Sequence, residues 1–246
     1  MKTLIIDIET RPSLGYVWRM YDNSLSLNQV ESFTDMMCFA AKWHGDKKVH
    51  FYSTHHHGQD AMIHQAWKLL DEADAVVHFN GTSFDIPHLN REFLLAGLTP
   101  PSPYKEIDLL RTAKRRFRFF SNKLAHITEQ LQLSGKLSHT GFQMWKDAIA
   151  GDERAWSLFR RYNIQDVRTT EELYDRLLPW ISNHPHVGLY DGVEGDSCQR
   201  CGGQDLERRG FAYTPLGKFQ QFRCRKCGGW SRGKKTLASV DVRGNG

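Results

Sequence analysis

The chain has 246 residues, of which 40% are hydrophobic and 25% are charged, and its formal net charge is +5. This length predicts one sizeable domain with a small appendage, and the composition excludes a disordered or fibrous protein. No apolar run of roughly 18 or more residues occurs, and the first residues lack the order of a signal peptide, so a cytoplasmic protein without a membrane partner is predicted.

The first predicted strand, residues 4–10, carries two acids among β-branched and apolar residues. Side chains alternate along a strand, so Asp7 and Glu9 point to the same side. Two unpaired carboxylates on a buried strand repel each other and lose hydration, and a divalent cation such as Mg²⁺ or Mn²⁺ relieves both costs. The alternative is a pair of acids at a solvated strand end.

Apolar periodicity and turn residues predict the elements that follow. Further strands are predicted over 36–44, 49–53, 75–80 and 105–110. Helices are predicted over 59–70 and 84–96, from a cap at Ser121 or Asn122 to Leu131, from Thr140 to Ala150, and from Asp152 to Trp180.

Asp85 is a candidate third carboxylate. Ser83 is the predicted N-cap of helix 84–96, which places Asp85 in the first helical turn after strand 75–80. Ligands in open α/β sheets collect outside the carboxyl ends of strands. The alternative is an acid that only supports the helix dipole.

The last long helix supplies a fourth acid. Tyr162 and Asp166 are four residues apart and therefore share a helix face. Since the apolar residues of this helix predict that it is mostly buried, Asp166 is costly there unless it meets a cation.

One segment in the middle of the chain, residues 111–120, interleaves five cations with three aromatic residues. Phosphates and stacked bases suit such a surface. The alternative is a helix whose cations extend to solvent over buried Phe side chains.

Three short motifs resemble, in order, those of DEDD-type 3′–5′ exonucleases: Asp7-Ile8-Glu9-Thr10, Asn80-Gly81 with Phe84-Asp85, and Tyr162 with Asp166. A Tyr four residues before the last Asp is the mark of the DEDDy branch. The second motif is most similar to the proofreading domain of family B DNA polymerases. The resemblance covers about residues 1–180 and extends to stand-alone DnaQ-like exonucleases of the kind that bacteriophages encode. Three motifs in order are more specific than one.

The resemblance implies an RNase H-like mixed β-sheet flanked by helices, with two Mg²⁺ or Mn²⁺ ions about 4 Å apart. It implies that Asp7 bridges both ions and that Glu9 and Asp166 complete the ion that activates water. Asp85 is implied to help hold the second ion, largely through water. Tyr162 is implied to orient the attacking water, since an unperturbed pKa near ~10 makes it a poor base.

By the same resemblance, Thr10, Asn80 and Phe84 contact the terminal nucleotide of the substrate. The expected substrate is DNA with a single-stranded or frayed 3′ end, cleaved to nucleoside 5′-monophosphates. RNA trimming is the alternative activity, and a non-catalytic nucleic-acid-binding module is the alternative class. A polymerase or another replication protein is a candidate partner.

The positive charge belongs to the C-terminal part of the chain. From Ser197 onward there are 11 Lys and Arg against 3 Asp and Glu, a formal charge of +8, whereas the preceding residues carry −3. A basic module on a mildly acidic body favours a polyanionic partner, with nucleic acid first. The alternative is a solubilising tail.

Two CxxC pairs in this part, each followed by two glycines, resemble a zinc ribbon with one structural Zn²⁺: Cys198 with Cys201, and Cys224 with Cys227. Two disulfides are the alternative. The ribbon surface suits nucleic acid, and docking to a protein such as a polymerase is the rival. The predicted organisation is an exonuclease domain over 1–184, a linker over 185–196 and a ribbon over 197–246.

Overall fold

The structure is a computed structural model that describes residues 1–19, 21, 24–135 and 141–242. The strands are β1 (Thr3–Thr10), β2 (Leu14–Gly15), β3 (Val30–Ser32), β4 (Met36–Trp43), β5 (His50–Ser53), β6 (Ala75–His78), β7 (Lys105–Asp108), β8 (Leu206–Tyr213), β9 (Gly217–Cys224) and β10 (Trp230–Ser239). The helices are α1 (Thr54–His57), α2 (Gln59–Asp71), α3 (Asp85–Leu95), α4 (Leu109–Arg116), α5 (Leu124–Gln130), α6 (Phe142–Ile149), α7 (Glu153–Leu177) and α8 (Val187–Tyr190). Short 3-10 turns occupy Leu27–Gln29 and Leu178–Trp180.

The main sheet has five strands in the order β5-β4-β1-β6-β7, with β1 in the centre. Strand β1 pairs antiparallel with β4 and parallel with β6, and β6 pairs parallel with β7. The carboxyl ends of β1, β6 and β7 therefore lie at one edge. The prediction of a mixed α/β sheet flanked by helices is confirmed.

Each face of this sheet has its own core, and β1 contributes to both by alternation. Leu4, Ile6 and Ile8 pack with apolar residues of α2 and α3. Ile5 packs on the opposite face, against the core that includes α7. Asp7 and Glu9 continue the spacing of Ile5, so the sheet directs both acids toward α7.

The helix ends agree with the sequence in part. Helix α7 starts beside Asp152 as predicted, and the Asp152 carboxylate caps it by accepting the N–H of Ala155 at 2.8 Å. The predicted caps at Ser83 and at Ser121 or Asn122 are wrong: Phe84 and Lys123 hold the N-cap positions without a side-chain hydrogen bond. Thr140, the other predicted cap, lies outside the described residues.

The C-terminal strands form a separate antiparallel sheet in the order β10-β9-β8. Helix α8 lies in the segment between the two sheets. Two side chains join this part to the end of the long helical region: the guanidinium Nε of Arg200 donates to the carbonyl of Ile181 at 2.7 Å, and Gln199 donates to the carbonyl of His184 at 2.6 Å. Within the described residues, no helix combines the length and hydropathy that crossing a bilayer requires.

An ion pair on the sheet gives a first testable prediction. Lys42 of β4 pairs with Glu171 of α7, both largely buried, and Glu171 also accepts the N–H of Gly45 at 2.9 Å. Glu171→Ala leaves the Lys42 ammonium buried without a counter-charge, so we expect a loss of about 3 kcal/mol of unfolding free energy and about 6–12 °C in Tm. Thermal unfolding followed by circular dichroism measures this loss.

The matched control is Asp175→Ala on the same helix, which removes an exposed partner of His44. Exposed pairs contribute little, so we expect a change below about 1 kcal/mol. Equal losses in the two variants would contradict the assignment of a buried ion pair.

Candidate active site

The candidate site is centred on the two acids of β1 and the facing side of α7. Asp7 and Glu9 are partly exposed, whereas Asp166 is buried. One carboxylate oxygen from each of these three residues lies within 4.8 Å of the other two. The structure therefore brings together acids that are about 160 positions apart in the sequence.

Asp85 reaches the same strand from the start of α3. Its Oδ1 accepts the backbone N–H of Ile8 at 3.0 Å, and the side chain is buried. Ile8 stands between the two acids of β1, so this bond fixes Asp85 beside them.

The turn that delivers Asp85 requires a glycine. A Cβ on Gly81 would lie 2.3 Å from Cγ of His78, a distance at which the turn could not form. The Gly81 N–H donates to His78 Nδ1 at 3.0 Å, and the Gly81 carbonyl accepts the N–H of Ile86 at 2.9 Å. The close approach of His78 thus explains why the second residue of the Asn80-Gly81 motif is a glycine.

Burial and mutual repulsion raise the pKa values of acids in this site. Enclosure by protein raises the pKa of Asp7 well above its usual range, and repulsion by Asp85, Glu9 and Asp166 raises it further. Burial raises the pKa of Asp85 to about 6, against the hydrogen bond from Ile8. Hard carboxylate oxygens that repel one another suit a divalent cation, which removes the repulsion. The residues present therefore fit Mg²⁺ or Mn²⁺.

Tyr162 is buried next to these acids on α7. Burial, the charges of Asp166 and Glu9, and hydrogen bonding to Asp166 raise the pKa of its phenol far above the usual value. The hydroxyl therefore stays protonated at neutral pH and serves as a hydrogen-bond donor, not as a base.

Asn163 was not predicted as a site residue, yet it contacts Asp7 directly. Its Nδ2 donates to Asp7 Oδ2 at 2.7 Å and lies 3.3 Å from the Asp7 carbonyl oxygen, and the side chain is fully buried. This hydrogen bond opposes the rise in the Asp7 pKa. The signal in the sequence was a polar amide three residues before Asp166, on the same helix face.

The three residues predicted to contact a terminal nucleotide lie on β1 and in the loop that leads to Asp85. Thr10 follows Glu9 on β1, and its carbonyl accepts the indole N–H of Trp145 at 3.2 Å. Asn80 and Phe84 are exposed in the loop before Asp85. A cavity of about 350 Å³ adjoins Thr10 and is lined by Pro12, Gly141, Phe142 and Trp145. Its aromatic wall was not predicted.

The four cysteines of the C-terminal part form a second cluster, with all four Sγ atoms within 4.8 Å. Cys198 Sγ lies 3.6 Å from Cys227 Sγ, and Cys201 Sγ lies 3.6 Å from Cys224 Sγ. Four thiolates at about 2.3 Å from a tetrahedral Zn²⁺ are about 3.8 Å apart, whereas a disulfide needs about 2.05 Å. The cluster is therefore compatible with a zinc site.

The two CxxC turns have the same hydrogen-bond pattern. Gly202 and Gly228 have positive φ angles of 67° and 77° and donate to the carbonyls of Cys198 and Cys224, each at 2.9 Å. A side chain would be strained at such angles, which explains the first glycine after each pair. The N–H of Gly229 lies 3.4 Å from Cys227 Sγ.

Comparisons with known proteins agree with this architecture. Curated proteins include no match to the chain. A family B DNA polymerase from the hyperthermophilic archaeon Pyrobaculum calidifontis is similar in structure, with a TM-score of 0.55 and 16% sequence identity over 90% of this chain. The chain spans only 33% of the length of that polymerase, and at this identity the likeness shows the fold.

A family model described as RNase H superfamily matches residues 27–178, which include Asp85, Tyr162 and Asp166 and follow the two acids of β1. Because the match covers more than half of the chain, and the five-stranded mixed sheet has the corresponding architecture, the chain belongs to the RNase H superfamily.

Proposed function

We propose that the chain is a DEDDy-type, metal-dependent 3′–5′ exonuclease that hydrolyses single-stranded or frayed DNA ends to nucleoside 5′-monophosphates. The observation that carries the proposal is the convergence of Asp7, Glu9 and Asp166, with carboxylate oxygens within 4.8 Å, beside Tyr162. Membership of the RNase H superfamily and the likeness to a polymerase support nuclease activity in general.

Asp7, Glu9 and Asp166 would hold one divalent ion, and Asp7 with Asp85 would hold the second. Two such ions, when bound, supply positive charge that stabilises both the attacking and the leaving oxygen of a phosphodiester. The hydrogen bond from the N–H of Ile8 to Asp85 would keep this carboxylate beside Asp7 for that role.

Other side chains would hold the reactants. The Tyr162 hydroxyl remains protonated and would orient the attacking water through a hydrogen bond. Asn163 keeps Asp7 in one orientation through its amide. Thr10, Asn80 and Phe84 would contact the last nucleotide, with Phe84 offering a partly exposed ring for stacking.

The C-terminal part would be a zinc ribbon that binds nucleic acid, connected through residues 185–196 to a nuclease domain over 1–184. One structural Zn²⁺ on the four cysteines would stabilise a module with little apolar core. Its surface combines cations and rings: Lys218 Nζ lies 3.9 Å from the centroid of Phe211, and Arg232 lies 4.3 Å from that of Phe219. Docking to a polymerase is the competing role for this surface.

The test uses 5′-labelled DNA and RNA of the same sequence, incubated with Mg²⁺ or with EDTA. The proposal predicts a descending DNA ladder in Mg²⁺ and none in EDTA. An RNA ladder alone would make the protein an exoribonuclease, and binding without cleavage would make it a non-catalytic module. Either result contradicts the proposal.

Asn163 gives a second test of the site. Asn163→Ala removes the donor to Asp7, so we expect kcat and Mn²⁺ affinity to fall about 10- to 100-fold, the usual effect of removing a partner of a metal ligand. Calorimetric titration with Mn²⁺ and hydrolysis rates measure these changes. The control is Gln165→Ala on the same helix, because the Gln165 amide donates to the hydroxyl of Thr169 at 3.3 Å and not to Asp7. Equal effects in both variants would contradict a specific role for Asn163.

A further inference from the structure

A second cavity lies at the same edge of the sheet, between β7, α4 and the turn at the end of α7. Its volume is about 400 Å³, and its wall includes Arg111, Arg115, Arg116 and Trp180. Thr82 also borders it, in the loop that leads to Asp85, and the N–H of Asn80 donates to Asp108 below the cavity at 3.0 Å. The cavity and the candidate active site therefore share the loop that joins β6 to α3.

The arginines of this cavity carry charge that the protein leaves largely uncompensated. Arg115 and Arg116 are exposed, and neither side chain forms a salt bridge with any residue that the structure describes. Arg111 has only a long contact, with Nε 3.8 Å from Asp108 Oδ2. Unpaired guanidinium groups at the wall of a cavity attract anions, and phosphate suits their planar donors.

The two acids of the cavity are already engaged. Asp108 Oδ1 accepts the N–H of Asn80 and, at 2.9 Å, that of Leu110 as the cap of α4. Glu106 lies 3.5 Å from Nε2 of the fully buried His78, and hydrogen bonding to His78 and Thr82 lowers the pKa of Glu106. Both acids thus have partners within the protein, and the three arginines of the wall exceed them by one formal positive charge.

Trp180 adds a surface for a base. The side chain is half-exposed, and its ring stands edge-on to Phe117 with centroids 5.3 Å apart. An exposed indole beside guanidinium groups can stack a nucleobase while the arginines hold its phosphate. The basic segment 111–120 is therefore divided: its residues 111, 115 and 116 line the cavity, whereas Lys114 and Arg118 do not.

We propose that this cavity binds one nucleotide of the substrate strand at a position away from the cleaved end, with a phosphate on Arg115 and Arg116 and a base on Trp180. The inference rests on the proposed nuclease function and names a second contact of the same strand. In this role the cavity holds the strand while single nucleotides are removed from its end.

The experiment measures binding of a 5′-fluorescein oligothymidylate of about 12 nucleotides by anisotropy in EDTA, over a range of salt. The variant Arg115→Gln/Arg116→Gln is compared with Lys114→Gln/Arg118→Gln, which removes the same charge from the same segment outside the cavity. Because the two arginines share one phosphate, losing them should make the slope of log K against log salt shallower by about 0.7 and weaken binding about 5-fold near 0.1 M salt. Arg115→Lys/Arg116→Lys should restore most of the slope.

A smaller effect is expected for the Lys114 and Arg118 variant. Equal losses in the two double variants, or no loss in the arginine variant, would overturn the inference. Hydrolysis of the p-nitrophenyl ester of thymidine 5′-monophosphate tests the nuclease proposal independently of strand binding. This ester occupies only one nucleotide position, so the wild type and the arginine variant should cleave it equally. If the wild type cleaves neither the ester nor DNA, the nuclease proposal fails. The binding comparison still shows whether the cavity binds the strand.

Discussion

Replacing Asp7 with Asn is expected to abolish hydrolysis while making the metal-free protein more stable. The carboxylate of Asp7 is the one that Asp85, Glu9 and Asp166 all repel. Asn has the same shape, so its oxygen can still accept the bond from Asn163. The substitution removes the negative charge of the residue that would bind both metal ions. Without the ions, several kcal/mol of transition-state stabilisation are lost, so we expect kcat to fall by at least about 1000-fold.

The stability change has the opposite sign. Since the pKa of Asp7 is raised in the folded protein, the ionised form opposes folding above that pKa, and a neutral amide removes this cost. We expect a gain of about 1 kcal/mol or more in EDTA, or about 2–4 °C in Tm. Mg²⁺ should raise the Tm of the wild type and not that of Asp7→Asn.

Asp166→Asn should behave like Asp7→Asn. The control is Asp60→Asn, which replaces an exposed acid on α2 and should change neither activity nor stability. Thermal unfolding with and without Mg²⁺ and the rate of release of nucleoside monophosphate provide the readouts. Substantial activity in Asp7→Asn or Asp166→Asn would contradict the assignment of these acids as metal ligands.

Replacing Cys224 with Ser is expected to release zinc and unfold the C-terminal part. Apparent zinc-binding free energies of about 10–16 kcal/mol account for the folding of small modules built around a structural zinc ion, and three thiolates hold the ion far less well than four. Trypsin should then cut the many Lys and Arg sites after residue 197, while the residues before it resist digestion. Metal analysis should give one zinc per wild-type chain and none per variant chain.

Cys38 supplies the control, because it is buried near Asn163 and lies outside the four-cysteine cluster. Cys38→Ala should keep its zinc and the resistance of its C-terminal part to trypsin. A wild-type chain without zinc, or a Cys224→Ser chain that retains one, would contradict the proposed zinc ribbon.

The sequence predicted those features of the fold that depend on local pattern. Alternation along β1 placed Asp7 and Glu9 on one side, and the structure directs both toward α7. The start of α7 near Asp152 was predicted from the apolar period, and the structure shows that this acid caps the helix. The start of α3 was predicted to within one residue, but its cap was not, since hydrogen-bonded turns around Gly81, and not a Ser83 cap, precede the helix.

What the sequence did not predict depends on contacts between distant elements. The position of Asn163 on the same helix face as Asp166 was visible in the sequence, but that its amide reaches Asp7 on β1 was not. Likewise, the segment 111–120 gave no sign of which cations line a cavity, because the opposite wall comes from Trp180 on a later turn. Such features depend on the register and packing of elements, which local periodicity does not encode.

The most direct measurement is anomalous diffraction from crystals grown with Mn²⁺ and thymidine 5′-monophosphate. Two manganese peaks about 4 Å apart are expected, with Asp7 bound to both ions and with Glu9 and Asp166 bound to one. Crystals with no peak at Asp7, or with these carboxylates turned away from the ions, would contradict this expectation.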